Sequence, residues 1–229
     1  MSALIWIVLI AASLVFTPLA AVALDGKSLV TRRCASCHDI AGPPPTTFAG
    51  VLARKAPDLF YAGSKFNRSW LVDWLQGPTV IRRSGVMFLN HITTVNGKDR
   101  IEEGAVAPCP AKLTREQAVA AAGYLMSLTD TDMATNLIDP SKTFKRAKAF
   151  RLFIKRLPCV GCHMIGFGKR IVGGISGPDL TGAGERLNPD WVYARIENPQ
   201  HWDPKTWMPR IEMSHRKREL LTLFITSQR

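Results

Sequence analysis

The sequence predicts an all-α fold, two tandem helical units behind a hydrophobic N-terminal helix. Three observations carry this expectation. Residues 3–24 contain no charged side chain and centre on the apolar run Leu4-Ile5-Trp6-Ile7-Val8-Leu9-Ile10. Several later segments combine helical patterning with start and stop signals. Residues 56–87 recur, without a gap, 121 positions further on.

The apolar N-terminal segment, residues 1–24, has two readings. It is long enough to span a bilayer as a retained anchor, since about 20 apolar residues suffice. It is also compatible with a cleaved signal, with Ala21-Val22-Ala23 as the small-x-small site. Its length and the lack of a basic leading region favour the anchor. Pro18 would kink such a helix without forbidding it. Either reading exports the rest of the chain.

Residues 25–130 form the first expected domain. Asp25 to Arg33 reads as a short helix leading into Cys34-Ala35-Ser36-Cys37-His38. Gly42-Pro43-Pro44-Pro45 is a rigid extended loop, because proline fixes φ and lacks a donor. Trp70 to Leu75 reads as a helix stopped by Gly77-Pro78. Residues 88–113 form an insertion in which Asn96-Gly97, flanked by Ile92, Thr93 and Val95, suggests a hairpin. Thr114 opens a last helix to about Leu128, with Gln117 placed for a capping box.

Residues 131–142 are polar and turn-like and read as a linker. The second domain, 143–229, opens with a helix from Thr143 to Leu157. Ala147, Phe150, Ile154 and Leu157 form its apolar stripe, and Lys145, Lys148, Arg151 and Lys155 a basic one. The basic stripe is either plain solvated surface or a docking face for an acidic partner. This helix leads into Cys159-Val160-Gly161-Cys162-His163.

The repeat ties the two domains together. At an offset of 121, Pro57-Asp58-Leu59 falls on Pro178-Asp179-Leu180, Ala62-Gly63 on Ala183-Gly184, and Asn67 on Asn188. Trp70 falls on Trp191, Pro78 on Pro199 and Met87 on Met208. An ordered set of this kind indicates a duplicated unit.

Two copies of C-x-x-C-H point to chemistry. The spacing is the attachment signature of c-type haem. Two thiols reach the two vinyl groups of one porphyrin, and the following His lies under the iron as proximal ligand. A zinc site would have to join pairs more than a hundred residues apart, whereas zinc modules keep their ligands close. A thioredoxin-like redox pair does not require the following His.

Each motif sits in a segment that resembles a class I cytochrome c domain. In that family a helix leads into C-x-x-C-H, a Gly-Pro-x-Leu segment follows, and a Met in a later loop is the second axial ligand. The resemblance covers nearly everything after the N-terminal segment. It implies two covalent haems, bound by Cys34, Cys37, His38, Cys159, Cys162 and His163. It further implies Met208, in Trp207-Met208-Pro209, as one sixth ligand. Met87 matches the family loop poorly but inherits the same role through the repeat. The competing ligands are His91 and Cys109 in the first domain, and His201 and His215 in the second. Cys109, the odd cysteine, reads as a buried free thiol, a disulfide to another subunit, or an alternative iron ligand. Trp70, Trp74, Trp191, Trp202 and Trp207 are expected to pack around the haem edges or in the core.

The formal charge of +12 favours an acidic partner surface. No nucleic-acid motif accompanies it. The resulting expectation is an exported, membrane-anchored dihaem cytochrome c on the periplasmic side of a bacterial inner membrane, soluble there if the segment is cleaved. It would transfer single electrons as, or beside, a haem subunit of a respiratory or photosynthetic complex. The alternative is a dihaem enzyme of the peroxidase or thiosulfate dehydrogenase type, with Cys109 or His91 at an altered iron. A third class is a structural anchor subunit whose haems only stabilise the fold.

Overall fold

The computed structural model describes residues 24–229. The anchor-or-signal segment therefore lies, but for Leu24, outside the described residues. Among the described residues no helix is long and apolar enough to cross a membrane.

The fold is mixed, which corrects the all-α expectation. The described residues are 40% helix and 8% strand, and the strands form two antiparallel hairpins. In the first, β1 (Ile92–Val95) pairs with β2 (Lys98–Ile101), Val95 opposite Lys98. Asn96 and Gly97 turn between them at φ 53° and 70°, values these two residues tolerate. This hairpin is visible in the sequence. The second is not: β3 (Ile165–Phe167) and β4 (Arg170–Val172) follow directly on the second motif. There the β-branched and aromatic residues prefer a pleated, half-buried surface, and Ile165 is fully buried.

The first half contains α1 (Gly26–Arg33), α2 (Phe48–Leu52), α3 (Ala62–Lys65), α4 (Arg68–Gln76) and α5 (Arg115–Ser127). Asp25 caps α1, accepting from the backbone N–H of Lys27 at 3.1 Å. α4 ends at Gly77. α5 opens with the expected capping box. The Thr114 hydroxyl accepts from the Gln117 N–H at 3.3 Å, and the Gln117 side chain accepts from the Thr114 N–H at 3.1 Å. Leu29, Val30, Leu71, Leu75, Ala118 and Leu125 bury together between these helices.

The second half contains α6 (Arg146–Arg151), a π turn (Leu152–Arg156), α7 (Cys159–Cys162), α8 (Ala183–Arg186), α9 (Pro189–Glu197) and α10 (His215–Thr226). Of the apolar stripe expected on its first helix, Phe150, Ile154 and Leu157 pack against the core, whereas Ala147 is exposed and Ala149 and Phe153 are the fully buried pair. The helix starts later than expected, and the i-to-i−5 bond from Leu157 N–H to Leu152 O, 3.0 Å, breaks the assumed 3.6-residue period. Lys145, Lys148, Arg151 and Lys155 are exposed as expected. Phe153, Ile165, Trp191, Leu221 and Phe224 form this half's core, joined by Tyr61 from the first half.

The two halves meet back to back. Phe66 and Leu187 form an antiparallel bridge, flanked by Asn67 N–H to Arg186 O and Asn188 N–H to Lys65 O, both 2.9 Å. In each half a glycine ahead of this bridge receives the last helix. Gly63 N–H donates to Leu128 O at 2.8 Å, and Gly184 N–H to Gln228 O at 2.9 Å. A Cβ would come within 2.2 Å of Met126 O at Gly63 and within 1.9 Å of Thr226 O at Gly184, so neither position has room for one. The 131–142 segment is pinned by Asp190, whose carboxylate accepts from the backbone N–H groups of Asn136 (2.6 Å), Leu137 (3.0 Å) and Ile138 (3.0 Å).

Candidate functional site

Each C-x-x-C-H motif folds as one helical turn. His38 N–H donates to Cys34 O at 2.9 Å, and His163 N–H to Cys159 O at 3.0 Å. Two cysteines at i and i+3 then lie on one face, with the histidine closing the turn.

Both imidazoles are held in the same way. His38 Nδ1 lies 2.6 Å from Pro57 O, and His163 Nδ1 lies 2.8 Å from Pro178 O. A carbonyl only accepts, so Nδ1 carries the proton and Nε2 keeps its lone pair. Burial, first of all, lowers both imidazole pKa values, against the carbonyl bond that raises them; Lys65 lowers His38 further, and Arg82 and Arg195 lower His163. Both imidazoles are therefore held neutral and oriented, with Nε2 as the lone-pair nitrogen. The motifs themselves are offset by 125 residues, whereas Pro57 and Pro178 are offset by 121. The loop from imidazole to carbonyl is thus 19 residues in one half and 15 in the other. The first half's extra length is taken up around α2, and the bond is the same.

Cys34 is buried, Cys159 is half-buried, and Cys37 and Cys162 are exposed; none is in a disulfide. Burial pushes the Cys159 thiol up to about 11. It also raises Cys34, where Cys109 adds to the effect, so the odd cysteine lies within electrostatic reach of the first motif. A cavity of about 410 Å³ opens beside the first motif, lined by Cys37, His38, Asp39, Arg54 and Lys55 among others. In the second half Gly177 leaves room for the imidazole. A Cβ there would stand 2.7 Å from His163 Cε1 and 2.8 Å from Nδ1. This donor set, two thiols on one turn with a neutral imidazole of fixed tautomer, fits a covalently held haem in each half.

Met87 and Met208 are both half-buried, in the loops that follow α4 and α9. Met87 precedes a 3₁₀ turn, Phe88–His91, which its carbonyl helps to close by accepting from Asn90 N–H at 3.1 Å. Met208 is fixed by Gln200, whose side chain donates to its carbonyl at 3.1 Å. Of the competing histidines, His201 Nε2 is 2.6 Å from Asp130 Oδ2. His215 opens α10 with its ring 5.4 Å from Tyr193. The His91 ring lies over Gly85, leaving no space for a Cβ there. Among the described residues, no three His, Cys, Asp or Glu side chains are grouped to hold a bare metal ion.

The expected tryptophans divide. Trp70 stacks on Trp74 at 5.7 Å. Trp191 and Trp202 are buried with rings 5.6 Å apart. Trp207, beside Met208, is 69% exposed. Sequence reasoning missed a polar cluster where the halves meet: Arg54, Asp58, Lys65, Arg82, Arg195 and Asp203. The residues lie up to about 150 positions apart, and only the fold assembles them. The one available signal was that positions 82 and 203, repeat mates, carry opposite charges.

No family model matches this chain, and no curated protein or solved structure matches it either.

Proposed function

We propose that this chain is an exported dihaem c-type cytochrome that passes single electrons. Its N-terminal segment would hold it at the periplasmic face of a bacterial inner membrane. There it would act as, or beside, a haem subunit of a respiratory or photosynthetic electron-transfer complex. The observation that carries this reading is the paired imidazole–carbonyl bond, His38 to Pro57 and His163 to Pro178, on two C-x-x-C-H turns. Haem supplies reversible one-electron exchange between ferrous and ferric iron.

The chain's own residues do the rest. Cys34 and Cys37, with Cys159 and Cys162, provide the thiols for covalent attachment. Pro57 and Pro178 set the tautomer that leaves His38 and His163 ready to ligate. Met87 and Met208 would each offer a thioether to one haem, which would favour ferrous iron and raise the potential. The partner is a redox protein or membrane complex with an acidic docking surface. Nine Lys and Arg, and no Asp or Glu, lie between residues 140 and 178.

The ligand assignment is tested by Met87→Ala and Met208→Ala. Each should alter the spectrum and lower the potential of one haem, leaving the other nearly unchanged. If Met87→Ala is silent while His91→Ala or Cys109→Ala shifts the first haem, the insertion holds the ligand and the enzyme alternative gains.

A further inference from the structure

The meeting surface of the halves carries buried donors without acceptors. The Nε1 atoms of Trp191 and Trp202 and the Nε atoms of Arg54 and Arg82 are all buried, and among the described residues none has a hydrogen-bond partner. Both tryptophans are themselves more than nine-tenths buried, at 8% and 3% exposure. Buried N–H groups are paired in nearly all native structures, and each exception calls for an acceptor.

The same surface gathers charge: Arg54, Lys65, Arg82, Arg186 and Arg195 lie around Asp39, Asp58, Asp179 and Asp203. Among the described residues Lys65 makes no ion pair, and burial, with Arg195 and Arg186, lowers its pKa to about 7. Its amine stands 4.8 Å from the Phe66 ring, 5.1 Å from Trp191 and 5.5 Å from Tyr61.

The donors also cross between halves. Residues 81–84 of the first half reach the loop behind His163. Ile81 O accepts from Asp179 N–H at 3.4 Å, and Arg82 Nη2 and Ser84 Oγ donate to Ser176 O at 3.1 and 3.2 Å. Residues 202–203, the repeat mates of 81–82, reach the loop behind His38. Asp203 pairs with Arg54 at 3.4 Å, Arg54 pairs with Asp58 at 2.7 Å, and Trp202 packs on Tyr61 at 5.8 Å.

Resting on the dihaem reading, we infer that this surface binds the carboxylates of both haems and that the halves exchange donors. Arg82 of the first half serves the second haem, and Trp202 of the second half serves the first. Each cofactor site is incomplete without the other half.

The test uses the holoprotein, with bound haem counted by mass and the two midpoint potentials assigned by Met87→His and Met208→His. Arg82→Gln removes a positive charge near the second haem and so favours its ferric form. Its reduced-to-oxidised ratio at fixed potential should fall about tenfold, equivalent to about 59 mV for one electron, and the first haem should move far less. Arg82→Lys should restore most of the ratio. Trp202→Phe, which keeps the ring but not the donor, should shift the first haem and spare the second. Two bound haems with Arg82→Gln moving only the first, or neither, would overturn donor exchange and leave the dihaem reading standing. A wild-type chain without haem would overturn both. Phosphate raised at constant ionic strength separates a free anion from the haem carboxylates. The potentials should stay constant, and potentials that follow phosphate would assign the surface to a free anion instead.

Discussion

Phe66 and Leu187 pair with each other across the centre of the molecule, and each is the other's counterpart 121 residues along the chain. The bonds on either side exchange under the same relation. Asn67 N–H reaches Arg186 O, and Asn188 N–H reaches Lys65 O. The duplicated units therefore face one another about a local two-fold axis, a geometry that puts equivalent loops of both units at one surface.

The side chains break that symmetry, and a prediction follows from where they do. Asn188 caps α9, accepting from Asp190 N–H at 2.9 Å. Asn67 instead crosses the contact, its Nδ2 donating to Glu185 O at 2.9 Å and to Gly184 O and Leu187 O at 3.3 Å. Asn67→Ala should cost about 1–3 kcal/mol, because carbonyls lose their donor at the contact. Denaturant unfolding of the variant should show that loss; an unchanged midpoint would mean that the crossing bonds contribute little.

Gly177 stands where the first half has Ala56, and a Cβ at position 177 would lie 2.7 Å from His163 Cε1. Gly177→Ala places Cβ against His163, and overpacking of that kind costs about 1–3 kcal/mol. The second haem's spectrum and potential should change while the first haem's stay constant. Equal changes at both haems would show that the effect is not local to His163.

Asp190 holds the connection between halves by three charge-assisted bonds at the start of α9. Asp190→Ala should lower stability by about 2 kcal/mol and expose the 131–142 segment. Limited proteolysis should then cut within that segment faster than in the wild type. Unaltered cleavage would show that Ile138, buried against Tyr193 and Leu223, fixes the segment without Asp190.

How much was legible in the sequence depended on the range of the interactions. The Thr114–Gln117 capping box, the Asn96-Gly97 turn and the Gly77 stop are local devices, and each appears where its residues suggest. The repeat also survives, since the pairs at Gly63/Gly184 and Asn67/Asn188 keep equivalent backbone roles. The β3–β4 hairpin was hidden because three-residue strands carry too little alternation to be told from a loop. The register of α6 was hidden because a π turn has no sequence signature of its own. The unpaired donors of Arg54, Arg82, Trp191 and Trp202 were hidden for another reason. Their partners are chosen by how the halves dock, which periodicity along one chain does not encode.

The basic segment around the second motif predicts a salt dependence. Reduction by ascorbate, an anionic reductant, should slow as ionic strength rises, since exposed charges are screened over about 8 Å at physiological salt. Lys148→Glu with Arg151→Glu should flatten that dependence. A rate that is flat across salt in the unaltered protein would count against steering by this surface.

Both C-x-x-C-H turns should carry haem covalently. The mass of the intact protein, produced with haem-attachment machinery and denatured before measurement, tests this most directly. The expected gain equals two haems, falling to one firmly held haem when Cys159 and Cys162 are both replaced by Ser. A gain of one haem or none in the unaltered chain would contradict it.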